Sequence, residues 1–262
     1  MKRILTAALL IPAVTWVIFY GPPALFFCAV ALLAALCYIE YSSLIRAQGG
    51  EALAPVALAG GLVILLAPDP WLAAVLLSLV GMAFAMRGAD LAHSMITAGG
   101  FALGMLYIFG AWRSAMELRA MSAHWLFFAC ALNWAGDTAA MYVGKSWGKH
   151  KLAPRVSPGK TVEGAVGSLV ASVVCGVLYL RWALPAFGWE AMVGLAIAGN
   201  VAGQMGDLAE SALKRGAGVK DSGTLLPGHG GILDRMDSSL FSMPVVLGLL
   251  RLAGAGPQLW RF

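Results

Sequence analysis

Charged side chains are scarce in this chain. They make up 12% of its 262 residues, against about 25% in an ordinary soluble domain. So few charges cannot tile a water-facing surface, and the apolar share of 60% with a mean hydropathy of +0.80 points the other way. Cysteine is sparse too. Cys28, Cys37, Cys130 and Cys175 all lie inside apolar runs and none forms a Cys-x-x-Cys pair, which argues against a disulfide framework or a zinc site and for inert packing. No internal repeat or low-complexity linker divides the chain. These absences predict one membrane domain over 1–262, with N-terminal helices in 1–121 and the polar loops and candidate site in 122–262.

What is present is a series of apolar runs, several of them reaching the roughly 20 residues that cross a hydrocarbon core about 30 Å thick. Hydropathy places nine, at 4–20, 22–45, 52–67, 70–87, 93–113, 122–144, 162–184, 188–215 and 234–253. The expected fold is therefore an all-α, polytopic bundle of about nine transmembrane helices. The third and fourth runs are short, and only Pro68, Asp69 and Pro70 separate them, which suits a tight helical hairpin. The first run follows Lys2 and Arg3 and ends in bulky residues rather than a small-x-small cleavage site, so it reads as a retained helix.

The net charge of +5 does not point to nucleic acid, because the basic residues sit in short loops between apolar runs. With the N-terminus inside, 13 of the 18 Lys and Arg residues face the cytoplasm. Only Arg113, Arg119, Arg181, Arg251 and Arg261 fall outside. The positive-inside rule favours that orientation, which puts the two longest polar loops, 145–161 and 216–233, on the cytoplasmic face and the C-terminus outside.

Polar residues within the runs mark a candidate site. Asn200, Gln204, Asp207, Ser211 and Lys214 are spaced 4, 3, 4 and 3 apart, which is one helical face; Glu210 lies beside it. Asp234, Ser238 and Ser242 form a second such face, with Asp237 adjacent, and Asn133 and Asp137 a third. A bare carboxylate at bilayer depth costs about 2.5–3.5 kcal/mol on the lenient insertion scale, so these faces must meet protein, water or an ion. A structural hydrogen-bond seam and ion pairing with Lys214 or Arg235 are the plain alternatives. Oxygen donors of this kind suit Mg²⁺, which takes one or two carboxylates and completes its shell with phosphate and water.

The loop from Lys214 and Arg215 through Lys220 and Asp221 to Gly230 and Gly231 holds six glycines and several cations, which suits close approach to phosphate. Gly159-Lys160-Thr161 is not a P-loop, since Pro154 stands where the first glycine is required. Ser157 to Gly164 reads as the start of the seventh helix, where backbone N–H groups meet an anion. Glu40, near the end of the second run, reads as a cytoplasmic-end cap or ion-pair partner in preference to a site residue, and His93, His124 and His150 read as interfacial or loop residues.

The run Ser211-Ala-Leu-Lys214-Arg215, then Lys220-Asp221 and His229-Gly230-Gly231-Ile-Leu-Asp234-Arg235-Met-Asp237, resembles the signature of the phosphatidate cytidylyltransferase (CDP-diacylglycerol synthase) family. Gly136-Asp137-Thr138, Gly148 to Leu152, Ser157-Pro158, Lys160-Thr161 and Glu163-Gly164 extend it upstream. Gly159 departs from it, since relatives often carry lysine there. The resemblance implies transfer of CMP from CTP to phosphatidate, with Mg²⁺, a second cation such as K⁺, and a homodimer; the short, loop-poor format of the chain points to the bacterial inner membrane. The resemblance makes Asp207, Lys214 and Asp234 the catalytic candidates, with Asp207, Asp234 and Asp137 as metal ligands. Ser157, Lys160, Glu163, Ser211, Arg215, Lys220, Asp221, His229 and Arg235 are the substrate-binding candidates. The chain lacks the Asp-Gly-x-x-Ala-Arg run of CDP-alcohol phosphatidyltransferases. An ion transporter would not need a glycine-rich loop with paired basic residues.

Overall fold

The computed structural model describes residues 2–88, 91–223 and 230–254. Nine helices lie among the described residues, each on one of the nine apolar runs: α1 (Lys2–Phe19), α2 (Pro23–Ala47), α3 (Ala54–Leu66), α4 (Pro70–Ala85), α5 (Leu91–Met121), α6 (Ala123–Trp147), α7 (Val162–Ala183), α8 (Trp189–Gly216) and α9 (Leu233–Leu252). Three of them, α2, α5 and α7, are long and apolar enough to cross a membrane. Helices α3 and α4 are apolar but shorter, at 13 and 16 residues, or about 20 and 24 Å at 1.5 Å per residue.

Local chemistry sets the helix ends. Proline opens α4, where its missing N–H costs nothing, and the Asp69 carboxylate accepts the Leu72 N–H at 3.0 Å. Ser122 caps α6 by accepting the His124 N–H, and Thr161 caps α7 by accepting the Gly164 N–H at 3.1 Å. Helix α5 changes pitch midway, with a π-helical stretch over Met105–Gly110.

One expectation fails. Ser157 to Thr161 does not begin the seventh helix; it is a strand, β2 (Ser157–Thr161), paired antiparallel with β1 (Lys151–Ala153). Lys151 faces Thr161 and Ala153 faces Ser157, so β2 bulges between the two pairs. Pro158 and Gly159 are poor helix formers, and Thr161 caps α7 only because its own backbone is extended, at φ −126° and ψ 154°. The helix therefore starts at Val162.

The chain forms two compact units that interleave along the sequence. One comprises residues 1–22, 114–212 and 237–262. It holds α1, α6, the β-hairpin, α7, most of α8 and most of α9, around a core that includes Phe128, Leu132, Leu180 and Met192. The other comprises 23–113 and 213–236. It holds α2, α3, α4 and most of α5, packed around Tyr38, Ile64, Phe101, Met105 and Phe109. The last turn of α8, the glycine-rich loop and the first turn of α9 belong to this second unit.

Candidate active site

In the first unit, α6, β2, α7 and α8 enclose a cavity of about 340 Å³ whose lining includes Asp137, Lys145, Lys160, Thr161, Gln204 and Asp207. Asp207 is the best-placed acid. Its Oδ2 lies 2.6 Å from Lys160 Nζ, and the Ser211 hydroxyl donates to its Oδ1 at 3.4 Å. Both members of the pair keep contact with water, at 31% and 26% side-chain exposure, so a ligand can reach them. Asp137 reaches the same cavity from α6 and is exposed.

Below the cavity the polar face of α8 turns into a structural seam. The Asn200 side-chain amide donates to the hydroxyls of Ser168 and Ser172, both at 2.9 Å. Gln204 donates to Asn200 Oδ1 at 2.6 Å and to the Ala165 carbonyl at 3.1 Å. Asn133 donates to Ser242 at 2.9 Å and Ser239 at 3.3 Å. The stripe read from the sequence thus divides: Asn200 and Gln204 join helices, Gln204 and Asp207 line the cavity, and Ser211 stands behind Asp207 as its hydrogen-bond donor. Asp237, buried, accepts the Ser238 N–H at 2.6 Å, and the charges of Asp207, Glu210 and Asp137 act on it. Helices α8 and α9 come this close because residue 206 is glycine: a Cβ there would stand 2.5 Å from the Asp237 carbonyl oxygen.

Glu163 serves the hairpin rather than the cavity. It accepts the backbone N–H groups of Lys149 and His150 at 3.1 and 3.2 Å, and the His150 imidazole Nδ1 lies 2.6 Å from its Oε1. That anchors the turn leading into β1. Ser157 pairs with Ala153 in the hairpin, four residues before the cap of α7.

In the second unit, α8 ends where Gly218 adopts φ +72°, with the Val219 N–H returning to the Lys214 carbonyl at 3.0 Å. That geometry is open to glycine at little cost. Lys214 is buried and pairs with Asp234 Oδ1. The other oxygen of Asp234 accepts the N–H groups of Gly231 at 2.7 Å and Ser222 at 3.1 Å. Arg215 donates to the Val219 carbonyl at 3.2 Å. Arg215, Lys220, Asp221 and Arg235 are exposed. His229 lies outside the described residues.

These surroundings test the fit to a divalent cation. Asp137 and Asp207 offer hard oxygen donors at one cavity, beside lysines suited to phosphate, and that donor set fits Mg²⁺. No group of three or more His, Cys, Asp or Glu positioned to hold a metal occurs among the described residues, so an ion would complete its shell from substrate oxygens and water. Asp234 has both oxygens engaged, and would exchange a lysine contact for an ion. Sequence reasoning did not single out Lys145, whose position four residues short of Lys149 reads as loop charge, nor the reach of Glu40 to the glycine-rich loop.

The chain matches the profile of the Cytidylyltransferase family over residues 1–253. It is 43% identical over 157 residues to the phosphatidate cytidylyltransferase of Bacillus subtilis (strain 168), covering 59% of this chain and 58% of that protein. It thus matches less than two thirds of the Bacillus protein's length. Against the Staphylococcus aureus (strain COL) protein of the same name it is 35% identical over 205 residues, 72% of this chain and 76% of the relative. The Staphylococcus saprophyticus relative, also so named, is 39% identical over 161 residues, 62% of this chain and 59% of its own.

Proposed function

The chain belongs to the cytidylyltransferase family, and from that premise we propose that it is a phosphatidate cytidylyltransferase, moving CMP from CTP to phosphatidate with release of pyrophosphate. The observation that carries this reading is the cavity where Asp207 and Asp137 share walls with Lys160 and Lys145. Acids and cations mixed at one opening suit a metal-bearing polyphosphate, which brings both signs of charge.

The lipid phosphate is already an anionic nucleophile, so the reaction needs no strong general base. The difficulty is repulsion between two polyanions. Lys160 and Lys145 offset that charge at the cavity, and Lys214, Arg215 and Lys220 provide cations along the signature loop. Asp207 and Asp137, at the cavity of the first unit, are the residues that would hold Mg²⁺ there, and Asp234 in the second unit is a candidate ligand in its own right. When bound, the ion neutralises phosphate charge and orients the triphosphate for in-line attack. Asp207 holds Lys160 while Ser211 donates to Asp207, so the ammonium is aimed before substrate arrives. Nine membrane crossings with the N-terminus and both polar loops in the cytoplasm, a bacterial inner-membrane location, a homodimer and a second cation such as K⁺ complete the proposal.

The test is transfer of label from the α-phosphate of CTP into phosphatidate, in detergent micelles, with Mg²⁺ and with EDTA, for the unmutated protein and Asp207→Asn. Label entering lipid only with Mg²⁺, and at least about 100-fold slower in the variant, is expected; that loss corresponds to roughly 3 kcal/mol of transition-state stabilisation. Folded protein that moves no label into lipid rejects the reaction. Full activity in the variant rejects Asp207 as the ligand.

A further inference from the structure

Helix α2 lies in the half of the chain that reads as plain hydrophobic helices, yet it sends one acid into the signature loop. Glu40 is buried, at 4% exposure. Its Oε1 accepts the N–H of Ile232 at 3.0 Å, and its Oε2 accepts the N–H of Leu233 at 2.8 Å and the hydroxyl of Ser222 at 2.9 Å. Leu233 is the first residue of α9. Its N–H and that of Ile232 belong to the donors a helix start leaves without intrahelical partners. A negative charge is favoured there by the helix dipole as well. Glu40 therefore caps a helix that begins some 190 residues later in the chain.

The space around the carboxylate is closed to anything else. A Cβ at residue 223 would stand 2.5 Å from Glu40 Oε1, and one at residue 231 would fall on Glu40 Oε2 and the Ser222 hydroxyl. Both positions are glycine, which lets the loop wrap the acid on two sides. Ser222 is held twice: its hydroxyl donates to Glu40 while its N–H donates to Asp234. Asp234 in turn pairs with Lys214. Glu40, Ser222, Asp234 and Lys214 thus form one continuous chain of polar contacts within the second unit, and Lys220 and Asp221 directly precede Ser222.

We propose that Glu40 is a positioning residue for the transfer reaction, clamping the signature loop so that Lys214, Lys220 and Asp234 are held in a reactive arrangement. A bare acid in an apolar helix is costly, and a helix cap alone is more cheaply supplied by a serine or aspartate at the helix start. An acid brought from α2 ties the loop to the helical scaffold, which a local cap does not. The proposal rests on the cytidylyltransferase reading for its catalytic consequence but not for the clamp itself.

The experiment uses the full-length protein in detergent, unmutated and as Glu40→Gln, Glu40→Ala and Ser222→Ala, with two readouts. Amide hydrogen exchange at Ile232 and Leu233 is read without substrate; transfer kinetics are read with it. Glu40→Ala should exchange faster at both amides and lose about 100-fold in kcat, the scale of an ångström of misplacement, with KM for phosphatidate within about twofold. Glu40→Gln keeps the side chain's size and one acceptor oxygen, and should fall between. Should Glu40→Ala fail to melt cooperatively, Ser222→Ala decides, since it removes one hydroxyl only; faster exchange with a severalfold lower kcat supports the clamp. Unchanged exchange in Glu40→Ala or Ser222→Ala, or faster exchange with full kcat, overturns the proposal. If the unmutated protein moves no label, the reaction itself fails and the positioning role falls with it, while the exchange data report the clamp separately.

Discussion

Two lysine–aspartate pairs carry similar chemistry in different surroundings, and burial separates what each contributes. Lys214 and Asp234 retain 11% and 9% of their side-chain exposure, whereas Lys160 and Asp207 keep 26% and 31%. Removing one partner of a buried pair leaves an uncompensated charge, at about 3–5 kcal/mol. The Gly231 and Ser222 N–H groups still reach Asp234, which places Lys214→Ala near the lower bound. A solvent-exposed pair is worth about 0–1 kcal/mol, and the half-buried Lys160–Asp207 pair lies nearer that range than the buried one. Lys160→Ala should therefore leave the unfolding transition in detergent nearly unchanged while raising KM for CTP. Lys214→Ala should lower stability by about 3 kcal/mol as well as activity. Equal stability losses in the two variants would contradict this division. The Lys214 pairing was legible as one of two plain alternatives for Asp234, because the two residues flank one loop. Which lysine meets Asp207 was not legible, since Lys160 lies 47 positions away and reaches it through the hairpin.

At the scale of elements, hydropathy locates all nine helices because an apolar run and a helix are nearly the same statement in this chain. It fails where the sequence is polar. Lys151 to Thr161 has no alternation of apolar and polar residues to mark strands; pairing and the Thr161 cap decide there instead. The close approach of α8 and α9 is likewise hidden, since Gly206 looks like any glycine in a membrane helix. Its substitution makes a sharp prediction. A Cβ at 2.5 Å from the Asp237 carbonyl oxygen and 3.0 Å from the Phe241 side chain cannot be met by a rotamer change alone, because one of the groups in the way is backbone. Gly206→Val should push α8 from α9 and take Asp207 out of register with its cavity. Transfer activity should fall by at least about tenfold, with helical content by circular dichroism preserved. Asn200→Ala serves as the comparison. It cuts the bonds to Ser168 and Ser172, and a membrane hydrogen bond is worth about 0.6 kcal/mol on average, so it should lower stability modestly and spare activity per folded molecule.

For the whole molecule, the distribution of Lys and Arg argues an orientation that the two short helices leave incompletely specified. On the proposed topology, crossing by both α3 and α4 gives nine spans, and their entry and return together gives seven. Either count is odd, so reporters at the two termini would give one answer for both arrangements. The connection between them decides. Pro68 and Asp69 are exposed, and Asp69 caps α4, which makes Pro68 the safer position for a probe. Helices of about 20 and 24 Å fall short of a 30 Å core, but a bilayer thins, and flanking side chains stretch, for fractions of a kcal/mol per ångström of mismatch. That is a small cost beside the backbone polar groups that an irregular return within hydrocarbon would leave without partners. The crossing arrangement is the expected one. A Pro68→Cys thiol, with Cys28 and Cys175 replaced by alanine, should react with a membrane-impermeant maleimide added outside intact cells lacking an outer membrane barrier. Reaction only after the cytoplasmic face is opened would mean that α3 and α4 return to the side they came from.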